Sequence, residues 1–184
     1  MSLIRNSSLP LLGDKMPKLQ ICKYGDQVLR RKTEPVAEIN DDIKKLVSDM
    51  FETMYAAPGV GLAAPQVGIS LRICVIDVKL DGKSNPLVMI NPEIIEGDNK
   101  VLAEEGCLSF PGVYENVKRY EKVVAECTDL KGKRIKVKGE GFLAKAIQHE
   151  IDHLDGKLFI DYLPDFKRKS VEKEIKRRKK AGSW

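Results

Sequence analysis

The two histidines of the chain, His149 and His153, stand four residues apart in Gln148-His149-Glu150-Ile151-Asp152-His153, with a glutamate directly after the first. Four residues advance a helix by just over one turn, so both imidazoles project from one face and can grip one metal ion. Glu150 leans toward the same side, where a carboxylate can exchange a proton with water at the ion without being a ligand. Two histidines merely satisfied in a core is the bland alternative, and the His-Glu-x-x-His spacing argues against it. The motif lacks a third ligand. Six residues beyond the second histidine stands Phe159, which excludes a metzincin. Glu172 and Glu174 lie in a strongly charged stretch and make poor ligands, so the third donor is to be sought upstream.

The surrounding pattern predicts a helix from about Phe142 to Asp155, following Gly139 and Gly141 and stopped by Gly156. Phe142, Ala146, His149, Glu150 and His153 share one face, and Leu143, Ile147, Ile151 and Leu154 form an adjacent apolar stripe. Such a helix is expected to be central and buried. Asn40-Asp41-Asp42 caps a second helix through Tyr55, with Ile43, Leu46, Val47, Met50, Phe51 and Met54 at helical spacing. Strand signals cover Leu71–Val78, Leu87–Ile95 with Pro92 interrupting, Tyr120–Thr128 and Arg134–Lys138, the last two flanking Asp129-Leu130-Lys131-Gly132 as a hairpin. Strands in runs rather than alternating with helices predict an α+β fold, with antiparallel β-sheets packed around the metal-binding helix.

At 184 residues and 42% hydrophobic content, the chain can bury a core of its own. No apolar run approaches the ~20 residues of a membrane span. The four scattered cysteines form no disulfide framework, and a reducing cytoplasm is the expected setting. Residues 1–17 read as a flexible leader or a poor transit sequence, so import into an organelle stays open. From Lys18 to Leu29 the chain is expected to be extended, with a turn at Gly25-Asp26.

Two further segments carry chemistry. Pro58-Gly59-Val60-Gly61-Leu62-Ala63-Ala64-Pro65-Gln66-Val67-Gly68 sets one polar side chain, Gln66, among glycines and apolar residues. A phosphate loop would need a Lys-Ser/Thr to follow and a strand to precede; neither is present. Glycines here instead let another backbone approach, as when an extended peptide lies alongside. Glu104-Glu105-Gly106-Cys107-Leu108-Ser109-Phe110-Pro111-Gly112 places Cys107 on a tight, exposed backbone. A lone cysteine is more often inert than a ligand, but a histidine pair short of one donor reverses that weighting.

In these three segments the chain resembles the peptide deformylases: Gly59-Val60-Gly61-Leu62-Ala63-Ala64-Pro65-Gln66, Glu105-Gly106-Cys107-Leu108-Ser109 and Gln148-His149-Glu150-Ile151-Asp152-His153 occur in family order and intact, within a similarity running from about Leu19 to Leu163. The resemblance implies that Cys107, His149 and His153 ligate one divalent metal, Fe2+ physiologically, with Zn2+, Ni2+ or Co2+ accepted. It implies hydrolysis of the N-formyl group of formylmethionyl nascent peptides, with Glu150 as the base and with Gln66 and the Leu108 N–H as oxyanion donors. Val60, Leu143 and Ile147 are expected to receive the methionine side chain, Gly61 and Gly106 to pair with the peptide backbone, and Arg119 to bond Glu105 behind the ligands.

Residues 165–180 hold nine Lys/Arg and three Asp/Glu in a chain of net charge +5. With Phe166, Val171 and Ile175 as a thin apolar stripe, they are expected to form a basic C-terminal helix, distinct from a catalytic unit at 18–164, that binds a polyanion rather than packing on the core. By resemblance the polyanion is the ribosome near the tunnel exit. Two other functions compete. A metallopeptidase built on the same His-Glu-x-x-His would need neither Cys107 nor Gln66. A non-catalytic RNA-binding protein with a closed structural metal would need a fourth ligand from Cys22, Cys74 or Cys127.

Overall fold

The computed structural model describes residues 19–79 and 82–184; the leader expected at 1–17 lies outside them. The first helix, α1 (Asp41–Ala56), starts where its cap predicts: the Asn40 side chain accepts from the Ile43 N–H at 3.1 Å, and Asp41 and Asp42 sit in the positive first turn. Its buried stripe of Ile43, Val47, Met50 and Met54 packs on two short strands, β1 (Gly61–Ala63) and β2 (Ile73–Ile76). Both strands are covered on both faces. Leu62, Ile73 and Val75 point into the core shared with α1, whereas Ala63, Cys74 and Ile76 point into the core beneath the second helix. A strand buried on two sides has no need of polar alternation, which explains its unbroken apolar run.

Three longer strands follow, β3 (Leu87–Cys107), β4 (Phe110–Thr128) and β5 (Arg134–Glu140), and all five form one antiparallel sheet in the order β1-β2-β3-β4-β5. Here the expected boundaries fail. Pro92 does not interrupt β3: the register shifts between Ile90 and Glu93, with Asn91 at φ 52°, so the proline sits in a bulge where no ladder N–H is required. Arg72 fixes the bulge by donating to the Pro92 carbonyl from Nε and Nη2. The hairpin arms at 96–106 and 114–119 were not expected as strand. They are rich in charge and largely exposed, and the pairing of the two arms gives them order that their composition does not announce. Cys107 and Phe110 face each other across the two-residue turn Leu108-Ser109.

The second helix, α2 (Gly141–Leu154), touches all five strands. Five strands span about 19 Å at ~4.8 Å spacing, wider than the ~10 Å of a helix, so the sheet must curve around α2 for every strand to reach it. Gln148 stitches helix to sheet, accepting from the Tyr120 N–H at 2.9 Å and donating to the Tyr120 carbonyl at 2.8 Å. This is the predicted α+β architecture with its histidine helix at the centre. Among the described residues, no helix is long and apolar enough to cross a membrane.

The third helix, α3 (Asp165–Lys180), corrects the expectation of a tail that does not pack. Val171 and Ile175 are buried together with Leu29, Phe110, Val113, Val117, Phe159 and Leu163. Two inward residues one turn apart suffice, because Leu158–Leu163 has already built an apolar floor. Phe166, the third residue of the expected stripe, is 72% exposed. Ile175→Ala should therefore cost about 2–5 kcal/mol in chemical denaturation, whereas Phe166→Ala should stay within about 0.5 kcal/mol.

Candidate metal centre

The two ends of the site come from elements that meet only in the fold. His149 and His153 stand on α2, while Cys107 is the last residue of β3. One donor atom from each of the three lies within 4.8 Å of the others. The Cys107 Sγ to His153 Nε2 distance is 3.3 Å. An ion bonded to sulfur at ~2.3 Å and to nitrogen at ~2.0 Å in a tetrahedron spaces its donors by about 3.5 Å, so this set fits one ion. Among the described residues no fourth Cys, His, Asp or Glu joins the group. Cys74 and Cys127 are fully buried in the core beneath α2. Neither they nor Cys22 belong to the donor group, which among the described residues supplies three donors where a closed structural site takes four.

Behind the donors lies a layer of fixed charges. His149 Nδ1 donates to Glu105 Oε2 at 2.9 Å, which turns Nε2 toward Cys107. Arg119 donates to Glu105 from Nε at 2.6 Å and to Asp152 from Nη1 at 2.5 Å, and Tyr162 donates to the other Asp152 oxygen at 2.8 Å. Burial alone would raise the Glu105 carboxyl, but the bonds from His149 and Arg119 prevail and hold it at about 2. Burial also favours a neutral imidazole. It carries His153 well below its ordinary value, while at His149 the contacts with Cys107 and Glu105 outweigh it and raise the pKa. The Arg119–Glu105 pair was expected; Asp152, Tyr162 and Gln148 were not singled out.

Glu150 lies on the same face of α2 and is 4% exposed. Burial, reinforced by the charge on Glu105 and opposed by His149, pushes its carboxyl up to about 7. Its Oε2 is buried and has no partner among the described residues. Gly61 makes room for this carboxylate. A Cβ there would lie 2.8 Å from the Glu150 carboxyl carbon and closer still to Oε1, so any side chain at 61 would displace it. Gln66, 1% exposed, accepts the Ala63 N–H at 2.9 Å through Oε1, which aims Nε2 at Cys107 Sγ (3.4 Å) and Ser109 Oγ (3.3 Å). None of the described residues accepts from the Leu108 N–H at the turn.

A cavity of about 630 Å³ opens onto these groups. Val60, Gly61, Gln66, Gly106, Cys107, Leu108, His149 and Glu150 line it. Leu143 and Ile147 do not, which corrects their expected place in the pocket: they point into the core beneath α2, with Ile147 fully buried there. Phe142 and Ala146 line the cavity in their stead, together with Lys145, Tyr114 and Ile21. The helical phase already held the signal, since Phe142 and Ala146 share the face of His149, Glu150 and His153 and the apolar stripe lies beside it. Two strand edges bound the opening. β1 pairs only with β2, and β3 from Glu93 onward pairs only with β4, so Gly61 and Gly106 each sit on an edge with no strand partner among the described residues.

The chain is similar to known proteins along nearly its whole length. The polypeptide deformylase family model matches residues 18–169. A peptide deformylase from Endomicrobium trichonymphae is 68% identical over 92% of this chain and 100% of its own length. The solved structure of a peptide deformylase from Legionella pneumophila covers 91% of this chain and 98% of its own at 43% identity, with a TM-score of 0.85. Another from Ehrlichia chaffeensis, solved in complex with actinonin, covers 89% and 98% at 39% identity, with a TM-score of 0.84. With these matches spanning nearly the whole chain, the protein belongs to the peptide deformylase family and is a hydrolase that removes the N-formyl group from nascent peptides.

Proposed function

We propose that Cys107, His149 and His153 hold one divalent ion, Fe2+ in the cell with Zn2+, Ni2+ or Co2+ as substitutes, and that the residues around it divide the work of deformylation. The observation that carries this reading is the convergence of one cysteine sulfur and two imidazoles, from separate elements, beside a buried carboxylate oxygen with no partner among the described residues. A mixed thiolate and imidazole set accommodates all four ions. Such an ion supplies a Lewis acid and brings the pKa of water toward neutrality.

The protein's own groups do the rest. Glu150, with a carboxyl near 7, takes a proton from the attacking water as its oxygen adds to the formyl carbon. It returns that proton to the amine nitrogen as the C–N bond breaks, releasing formate and a free amino terminus. Gln66 Nε2 and the Leu108 N–H donate to the carbonyl oxygen as it gains charge. Val60, Phe142 and Ala146 receive the methionine side chain. The open edges at Gly61 and Gly106 pair with the extended peptide, whose backbone then stands as a strand between them. A metallopeptidase using the same helix is the weaker reading, because it leaves the aimed Gln66 and the Cys107 thiol without a task.

The basic face of α3 is proposed to meet ribosomal RNA, in a cytoplasmic setting that keeps the four free cysteines reduced. Lys169, Lys173 and Lys176 are exposed while Val171 and Ile175 face the core, so the helix can present charge without leaving its seat.

Formate release from formyl-Met peptides, measured anaerobically beside metal analysis, tests the chemistry. Glu150→Ala should retain the ion and lose about two or more orders of magnitude in turnover; full activity in the loaded variant would sink the mechanism. Cys107→Ser should lose the ion, whereas Cys22→Ser and Cys74→Ser should keep it. Gly61→Ala should keep the ion yet lower turnover at least roughly tenfold by displacing Glu150. Changing Lys169, Lys173 and Lys176 together to Glu should weaken co-sedimentation with ribosomes, most visibly at intermediate salt, and leave hydrolysis of a short peptide unchanged. Equal pelleting of both forms would count against the ribosomal role.

A further inference from the structure

Cys107 leads into a two-residue turn whose Ser109 N–H donates to the cysteine sulfur at 3.4 Å, and contacts from outside the turn add to that bond. Ser109, fully buried, receives the Tyr24 N–H on its carbonyl at 2.9 Å and Gln66 Nε2 on its hydroxyl at 3.3 Å. The next residue, Phe110, packs against Tyr24 at 4.9 Å between ring centroids and edge-on to Phe159 at 5.0 Å. Phe159 in turn lies against the His149 ring at 6.3 Å. The position of the thiol therefore depends on what fixes Tyr24, Phe110 and Pro111.

The end of α3 and the residues after it fix all three. Arg178 Nη1 donates to the Pro111 carbonyl at 2.9 Å, and Lys179 Nζ donates to the Tyr24 carbonyl at 2.8 Å. The Trp184 ring meets Phe110 edge-on at 6.5 Å, and Tyr24 donates from its hydroxyl to Glu172 at 3.2 Å. The backbone accommodates this arrangement: a Cβ at Gly25 would lie 2.7 Å from Lys179 Nζ, in the path the lysine takes. Cys107 itself packs against the same apolar cluster as Trp184. The Trp184 Nε1 is buried with no partner among the described residues, so the ring alone makes the contact.

We propose that Arg178, Lys179 and Trp184 are positioning residues for deformylation, bracing the Cys107–Gly112 segment so that the thiolate stays within reach of the ion held by α2. Arg178, Lys179 and Trp184 stand outside the cavity, which Phe110, Pro111 and Gly112 of the braced segment border, and touch no reacting atom. The proposal rests on the reading of Cys107 as a ligand.

The test uses the full chain loaded with Co2+, whose thiolate charge-transfer absorption reports the Cys107 bond, together with the rate at which a chelator strips the ion. Trp184→Ala and Arg178→Met should each release Co2+ roughly fivefold faster, the scale set by one lost edge-to-face pair or hydrogen bond. They should also perturb the absorption band, and Trp184→Phe, which keeps a ring against Phe110, should restore both. A lowered melting temperature in Trp184→Ala and Arg178→Met with release rate and band unchanged would overturn the proposal, since the contacts would then be merely structural. Cys107→Ser in the same assay separates the two readings. Retention of cobalt in that variant at the parental rate would defeat the ligand assignment itself, whatever the bracing variants do.

Discussion

One buried guanidinium holds the candidate metal site together. Arg119, 4% exposed on β4, reaches Glu105 on β3 and Asp152 on α2 at once. Both partners adjoin the donors: Glu105 lies two residues before Cys107 and bonds His149, and Asp152 immediately precedes His153. The three charged groups have given up most of their hydration and are compensated by one another, with His149 donating to Glu105 and Tyr162 to Asp152. Removing Arg119 would leave two buried carboxylates without their cation, at a cost on the order of 3–5 kcal/mol. The clamp thus ties the hairpin to the helix whether or not an ion is present. The Cys107 sulfur and two imidazoles are held near one another without an ion, the preorganisation that the proposed site calls for.

Around that clamp, the sheet does two things. It curves about α2, and it stops short where the cavity opens. β2 pairs with β3 only as far as Ile90, and the bulge at Pro92 then carries the rest of the hairpin past the edge of β1. What remains between β1 and the tip of β3 is a gap flanked by unpaired backbone, a hazard for aggregation on most proteins. Here it is bordered by Gly61 and Gly106 over a buried Glu150. An extended peptide is the proposed occupant of this gap.

α3 joins a charged surface to a structural seat. The inward pair Val171 and Ile175 fastens it to the cluster that also receives Phe110 and Phe159, while most of its lysines face solvent. Charge density and hydrophobic packing need not compete when they occupy different sides of one helix. A helix read as a detached arm is on this account part of the wall that supports the Cys107 turn.

The local chemistry was legible in the sequence. Spacing alone set His149, Glu150 and His153 on one helical face, because helical period is a local property. The Asn40 cap, the stripe of α1 and the Asp129–Gly132 hairpin were legible for the same reason. The meeting of Cys107 with the histidines was reached only through a missing donor and a family resemblance, since 42 residues separate Cys107 from His149 and no local period spans them. Helical phase already set Phe142 and Ala146 beside His149 and Glu150, and tertiary structure decided that the adjacent apolar stripe would be covered. Leu143 and Ile147 are as apolar as a substrate pocket could ask, but the sheet covers that side and leaves Phe142 and Ala146 to the opening. It also decided that α3 packs. Two buried residues look like a thin stripe in sequence, and whether they are enough depends on the floor that distant residues provide, which no pattern within the helix encodes.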